Sequence, residues 1–322
     1  AILGDPDQQY VTNAATFRNE GVEIGLTWKD RVGEDFSYTI AANGTFNRNR
    51  ILDLRQGQPL FSGGVGNQGF VTYSAPGQPI GSFYVLQAIG IFRSQEEIDA
   101  YNKDGVPIQP NAQPGDLKYA DINDDGIIDV SANSSDKVFA GSYQPKFYYG
   151  INLGFTLRGF DFNADFYGNA GAKVYNGKKA FRYDSRDNVE ADYANNRWTP
   201  QNTGGKDPRI LATNTPASTY FVESGDYLRL NNITLGYTIP ESATARWGIS
   251  SLRVYVTSQN LFTITPYTGF TPADLPGTSA TQSSGTSSTV NAAAGGSALN
   301  AGIELNAYPT SRTYGIGINV TF

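Results

Sequence analysis

Several stretches of this chain alternate apolar and polar residues with a period of two, the pattern of a β-strand with unlike faces. Val22, Ile24, Leu26 and Trp28 share one side, opposite Glu23, Gly25, Thr27 and Lys29. The next run sets Phe36, Tyr38, Ile40, Ala42, Gly44 and Phe46 against Ser37, Thr39, Ala41, Asn43, Thr45 and Asn47. Further on, Phe147, Tyr149, Ile151, Leu153, Phe155 and Leu157 oppose Tyr148, Gly150, Asn152, Gly154 and Thr156. Phe160, Phe162, Ala164 and Phe166 then oppose Asp161, Asn163, Asp165 and Tyr167, and the intervening Arg158-Gly159 predicts a tight hairpin. The chain closes on Tyr314, Ile316, Ile318, Val320 and Phe322, with Thr313, Gly315, Gly317, Asn319 and Thr321 on the other side. Neither side of that last strand is charged, whereas the outer face of a soluble strand meets water and usually holds Lys or Glu.

Two further runs break phase. Leu228 and Leu230 precede Ile233, Leu235, Tyr237 and Ile239, so a bulge near Asn231-Asn232 is expected. Leu252, Val254 and Val256 are in phase, and the pattern drifts near Gln259-Asn260. Many of these runs reach about ten residues, the length of a tilted strand crossing a bilayer, whereas soluble strands average about 5–6. Aromatics stand at their ends, as at the interfaces of membrane barrels. The fold class expected is therefore all-β, a transmembrane antiparallel β-barrel, with a large soluble β-sandwich as the alternative. About nine to eleven spanning strands are expected, which makes either a narrow barrel filled by side chains or half of a wider one.

Between the strands lie long irregular segments, at 94–142, 172–220 and 271–301. Ser94 with Glu97 fits a capping box and predicts one or two helical turns. Residues 271–301 are rich in Ser, Thr, Gly and Ala and read as a mobile surface loop. Short turns on one side and long loops on the other fit a membrane barrel.

Composition narrows the chemistry. There is no Cys and no His, which removes thiolate chemistry, the usual general base and the commonest metal ligand. The absence of Met makes Ala1 no translational start, so the chain reads as a processed product or a C-terminal piece of something longer. A net charge of −6 with scattered Lys and Arg argues against nucleic acid. No apolar run is long enough for a membrane helix, but a barrel needs none.

One motif has metal-ligand spacing. Asp121, Asn123 and Asp125 occupy positions one, three and five of a calcium loop, Gly126 supplies the sharp turn, Ile127 a carbonyl and Asp129 the ninth position. Position twelve is Ala132, and Asp136 is the carboxylate that could replace it. The other reading is an Asp-rich turn held by its own side-chain hydrogen bonds. Asp161, Asn163, Asp165 and Asn169 form a polar stripe that would face a lumen, either binding sugar hydroxyls, seating a plug, or simply lining a wet wall. Tyr84, Tyr101, Trp198 and Tyr220 could stack on sugars or anchor loops. No nucleophile elbow, phosphate loop or zinc spacing is present.

Four blocks resemble the C-terminal part of the SusC/RagA family of TonB-dependent outer-membrane transporters. They are "FRNEGVEIGLTWKDRVGEDFSYTIAANGTFNRNRILDL" at 17–54, "GSFYVLQAIGIFRSQEEIDAY" at 81–101, a third from "PGDLKYADINDDGIID" to "YQPKFYYGINLGFTLRGFDFNADFYGNAG" at 114–171, and a fourth set ending in "YPTSRTYGIGINVTF". The family's acidic segment after "YxGF" is diluted here to "YTGFTPADLP". The resemblance implies a plugged, 22-stranded barrel, of which residues 1–322 are a C-terminal portion, with the plug and TonB box outside this chain. It implies an outer membrane of a Gram-negative bacterium, a SusD-like surface lipoprotein as partner, coupling to TonB, and glycan or peptide cargo. Tyr314, Ile316, Ile318, Val320 and Phe322 resemble the signal by which barrel assembly recognises a last strand. Two other functions stay open at this stage. One is a transport-inactive barrel with a structural or secretion-associated role. The other is a secreted β-rich module that binds glycans. An enzyme is not expected, since no catalytic constellation exists.

Overall fold

In the computed structural model, which describes residues 15–54, 59–65, 68–181, 188–210, 215–273, 275, 298–305 and 307–322, the alternating runs become the strands of one sheet. These are β1 (Ala15–Val32), β2 (Phe36–Leu54), β3 (Phe147–Leu157), β4 (Phe160–Ala170), β5 (Tyr227–Ile239), β6 (Ser251–Ile264) and β7 (Thr313–Thr321). They pair in chain order, each antiparallel to the next, as an up-and-down meander.

The register brings like residues together on each face. Ile24 meets Gly44, Leu26 meets Ala42, and Trp28 meets Ile40. Ile151 sits between Ala42 and Phe166, and Phe155 between Tyr38 and Phe162. Leu235 joins Phe162 to Val256, which pairs with Ile316. The result is one apolar face running across all seven strands. It is bare of protein cover: Leu26 is 70% exposed and Ile316 is 78% exposed. A continuous apolar surface of this size is adhesive in water and suited to hydrocarbon. Among the described residues no helix is long and apolar enough to cross a membrane, so any crossing falls to strands.

The bulge expected near Asn231-Asn232 is present. Asp165 pairs with Asn232 and Phe166 with Leu230, which leaves Asn231 as the extra residue. That one insertion returns Leu228 and Leu230 to the face of Ile233 and Leu235, because shifting by one residue flips every side chain. The opposing strand is irregular at Asn260, whose φ of 52° is left-handed.

The turns sort to two ends. At one end β1–β2 and β3–β4 are closed by tight turns, and short helical turns at Glu241–Thr244 and Ala245–Trp247 join β5 to β6. The β3–β4 turn is Arg158-Gly159, with φ of 46° and 86°, the primed turn whose twist matches the strands. Arg158 donates from Nε to Asp35 in the neighbouring turn at 2.8 Å. At the other end the described parts of the long segments fold into a body of their own. A four-stranded antiparallel sheet is built from Leu60–Gly64, Phe70–Ser74, Ser82–Leu86 and Lys137–Ser142. A smaller sheet joins Lys173–Asn176 to Val222–Ser224 and Ile303–Glu304. Val71, Phe83, Val85, Tyr175, Phe221 and Ile303 form its fully covered core.

The expected count of spanning strands is therefore corrected. Seven strands of the large sheet are found among the described residues, because Leu60–Gly64, Phe70–Ser74, Ser82–Leu86 and Lys137–Ser142 pair as short strands of the loop body rather than entering the wall. The helical turn expected after Ser94 is present at Gln95–Ala100, with Ser94 Oγ accepting from Glu97 N–H, while the Glu97 carboxylate reaches one residue past the cap, to Arg93 N–H at 2.7 Å, in place of the reciprocal bond of a capping box. Most of the segment expected to be a mobile loop, residues 276–297, lies outside the described residues. Its flanks are packed: Tyr143 Oη accepts from Leu275 N–H, and Thr72 Oγ1 donates to the Leu299 carbonyl.

Candidate functional site

The face opposite the apolar one is a lattice of polar side chains. On β4 the stripe Asp161, Asn163, Asp165 and Asn169 lies on this face, as expected from its phase. Asp161 accepts two hydrogen bonds from Arg253 of β6, at 2.8 and 2.5 Å. The two strands are separated by β5, and Gly236 lies between the partners. A Cβ there would meet atoms of both Arg253 and Asp161 at 2.5 Å, so only glycine leaves room for the fork. Asp165 accepts from Asn152 of β3, and Asn163 stands between Gly154 and Thr234. Asn169 is buried between Tyr148 and Tyr227, and its Oδ1 has no partner among the described residues.

Sequence reasoning missed Arg229. It lies on the polar face of β5, 3% exposed, with its guanidinium near the rings of Tyr227 and Tyr167. Its Nε donates to Thr263 Oγ1 at 2.9 Å, and its Nη1 to Tyr167 Oη at 3.1 Å. Its Nη2 reaches Thr271 Oγ1 at 3.5 Å, the start of the long segment after β6. The available signal was an Arg in phase with the polar positions of an otherwise apolar strand. Chemically this wall offers amides, hydroxyls and two carboxylates, Asp161 paired with Arg253 and Asp165 with the Asn152 amide. It can hydrate or guide a polar solute.

The Asp121–Asp129 turn coils round its own side chains. Asp121 accepts from the N–H of Gly126 at 2.7 Å, Asp125 from Ile127 at 2.9 Å, and Asp129 from Ser131 at 2.8 Å. Asn123 donates to Asp125 and Ser135. Asp136 is fully buried and closes the turn, accepting from Ile122 at 3.0 Å and Asp129 at 2.7 Å. The carboxylates thus accept from backbone N–H groups of the turn. Among the described residues no three acidic side chains come together as a metal set. Ile127 is exposed at the tip.

The four aromatics turn their polar atoms inward. Tyr84 donates to the Ser134 carbonyl, Tyr101 to Tyr119, Trp198 to Arg93, and Tyr220 to Asp207. Each ties one loop segment to another, the anchoring use of an amphipathic ring.

The last strand shows the two-faced form in full. Tyr314, Ile316, Ile318 and Val320 pair with Ser258, Val256, Val254 and Leu252, and Phe322 lies beyond the strand, largely exposed. Among the described residues β7 and β1 each have one partner only. An unpaired strand edge cannot persist in hydrocarbon, where no water satisfies its N–H and C=O groups. The sheet is therefore one arc of a closed wall.

No family model matches the chain. Individual relatives do, along nearly its whole length. TonB-dependent receptor P3 of Formosa agariphila is 27% identical over 315 residues, covering 97% of this chain and 29% of that protein. TonB-dependent receptor P26 of the same organism is 30% identical over 322 residues, covering 96% and 30%. TonB-dependent receptor SusC of Bacteroides thetaiotaomicron is 25% identical over 328 residues, covering 98% and 27%. A chain of the RagAB peptide transporter structure has the same fold, with a TM-score of 0.68 at 23% identity over 96% of this chain and 30% of that one. This chain spans about three tenths of the length of these relatives. Taken with the two-faced meander, these similarities make the chain a homologue of TonB-dependent receptors, SusC among them, over a part of their length that folds as transmembrane β-barrel wall.

Proposed function

We propose that this chain supplies the C-terminal wall and outward loops of an outer-membrane importer. The importer takes up oligosaccharides or peptides together with a SusD-like surface lipoprotein and is driven through TonB. The observation that carries the proposal is the seven-stranded wall with one bare apolar face and one hydrogen-bonded polar face, matched along its length to TonB-dependent receptors. A peptide transporter among the fold neighbours supports the peptide class, and the amides and hydroxyls of the polar face suit the hydroxyls of an oligosaccharide as well. In such barrels the long loops face outward and the short turns face the periplasm. The packed body formed by the described residues between β2 and β3, between β4 and β5 and between β6 and β7 then stands where a surface lipoprotein would sit. The polar lattice around Asp161, Asp165 and Arg229 stands along the solute's path. The plug and the TonB-contacting segment belong to the parent protein beyond this chain in the proposal.

Deleting the parent gene tests this. Loss of growth on a glycan or peptide source, restored by the wild-type gene only in cells with functional TonB, supports import. Co-purification of a surface lipoprotein with the receptor in mild detergent supports the pairing. Unchanged uptake of every oligosaccharide and peptide tried would instead favour a transport-inactive structural barrel.

A further inference from the structure

At the loop end, the outward apolar face of β1 and β2 changes character in one step. Val22 pairs with Phe46, whose ring stacks on Phe147 at 4.5 Å and marks the last apolar row. The next pair in the same phase is Glu20 with Arg48, and the one after it is Arg18 with Arg50. Two like charges directly opposite repel unless an anion lies between them. Beside this step is a cleft of about 900 Å³, where β3 parts from β2 and the 77–79 turn takes its place. Arg48, Arg50, Lys146 and Lys173 line it with a single acid, Glu20, while Val22 and Phe46 extend the apolar face into it. None of the four cations forms an ion pair among the described residues. The chain as a whole is acidic, at −6, so four cations to one acid is a local departure.

We infer that this cleft holds the anionic, phosphate-bearing headgroup of a membrane lipid whose acyl chains lie on the apolar face of β1 and β2. Charge complementarity selects the phosphate, and continuity with the apolar face selects a lipid over a soluble anion. Arginine and lysine at the edge of a hydrocarbon belt favour anionic headgroups by the same electrostatics. The inference rests on the barrel lying in a membrane and does not require import.

The test uses the intact parent receptor in detergent, read by native mass spectrometry with phosphatidylglycerol, phosphatidylcholine and inorganic phosphate as probes. Wild-type receptor should retain phosphatidylglycerol over phosphatidylcholine, and the excess should fall as salt is raised. Arg48→Ala with Arg50→Ala should lower that retention about tenfold, while Arg48→Lys with Arg50→Lys keeps most of it. If the alanine pair fails to assemble, the wild-type salt response decides alone. Equal retention of the two lipids, or retention indifferent to salt, overturns the assignment. So does an alanine pair that assembles and binds like wild type. Inorganic phosphate that binds as tightly and displaces the lipid also overturns it, making the cleft a soluble-anion site. Lipid retention in a receptor with no uptake phenotype would count against import alone.

Discussion

Arg229 shows what a single buried charge does here. It is held by three hydroxyls and two tyrosine rings, and one of those hydroxyls belongs to the segment that leaves the wall. Replacing it with Ala should destabilise the receptor by about 2–3 kcal/mol, the range for losing hydrogen bonds to a buried charge. Arg229→Lys should recover little, because an ammonium cannot reproduce the planar fork. Thermal loss of the folded band on unheated gels measures both. Asp136 makes the complementary case. It is a buried acceptor of two backbone N–H groups, and Asp136→Ala leaves both unpaired at about 1–3 kcal/mol. The same change at Asp125, on the exposed rim, should cost well under half of that. Proteolysis within 121–136 should rise for the first variant and not for the second. Equal sensitivity of the two would show that the turn is not closed by Asp136.

At the scale of the strand, the faces have unequal tolerance. Ile151 and Asn152 are neighbours in β3, with Ile151 between Ala42 and Phe166 and Asn152 between Ala41 and Asp165. Ile151→Arg sets a charge against lipid and should cost about 2–4 kcal/mol near the bilayer centre. Asn152→Arg sets it in the polar lattice beside Asp165 and should be tolerated. The amount of each variant assembled in the outer membrane decides the matter, and similar losses from both would contradict the assignment of faces. These faces were legible in the sequence because a strand's side chains alternate strictly, and the bulge at Asn231 was legible because it repairs the one break in phase. The Asp161–Arg253 fork was not, since its partners stand 92 positions apart and meet only through the register of three strands.

For the whole molecule, the loop body carries the sequestered ionisable groups. Tyr119, Tyr193 and Tyr267 lie in it, and burial pushes each hydroxyl well above the ordinary value of 10.0. Beside Tyr267 the Glu304 carboxylate adds to the shift. Unfolded tyrosines lose their protons near the ordinary value, while these three keep theirs. The stability they contribute is therefore complete below about pH 10 and declines as pH rises beyond it. Tyrosinate absorbance should show a fast class of exposed residues and a late class that ionises together with loss of the loop body. A single class titrating near pH 10 with the fold intact would contradict this burial.

The sequence by itself determined the strand class, the two unlike faces, the tight turn at Arg158-Gly159 and the strand-length runs that suit a bilayer. All of these follow from neighbours in the chain and from φ and ψ preferences. Its ordered blocks also carried the resemblance to TonB-dependent receptors. The tertiary structure alone decided that the strands Leu60–Gly64, Phe70–Ser74, Ser82–Leu86 and Lys137–Ser142 leave the wall for a separate body. It also decided that Asp136 closes the acidic turn, that Arg229 is buried, and that Arg48, Arg50, Lys146 and Lys173 share one cleft. Those outcomes depend on contacts between distant segments, such as the parallel pairing of Tyr175 with Ile303. Local periodicity carries no information about which distant partner closes a loop, because that choice is made by packing and closure entropy across the whole chain.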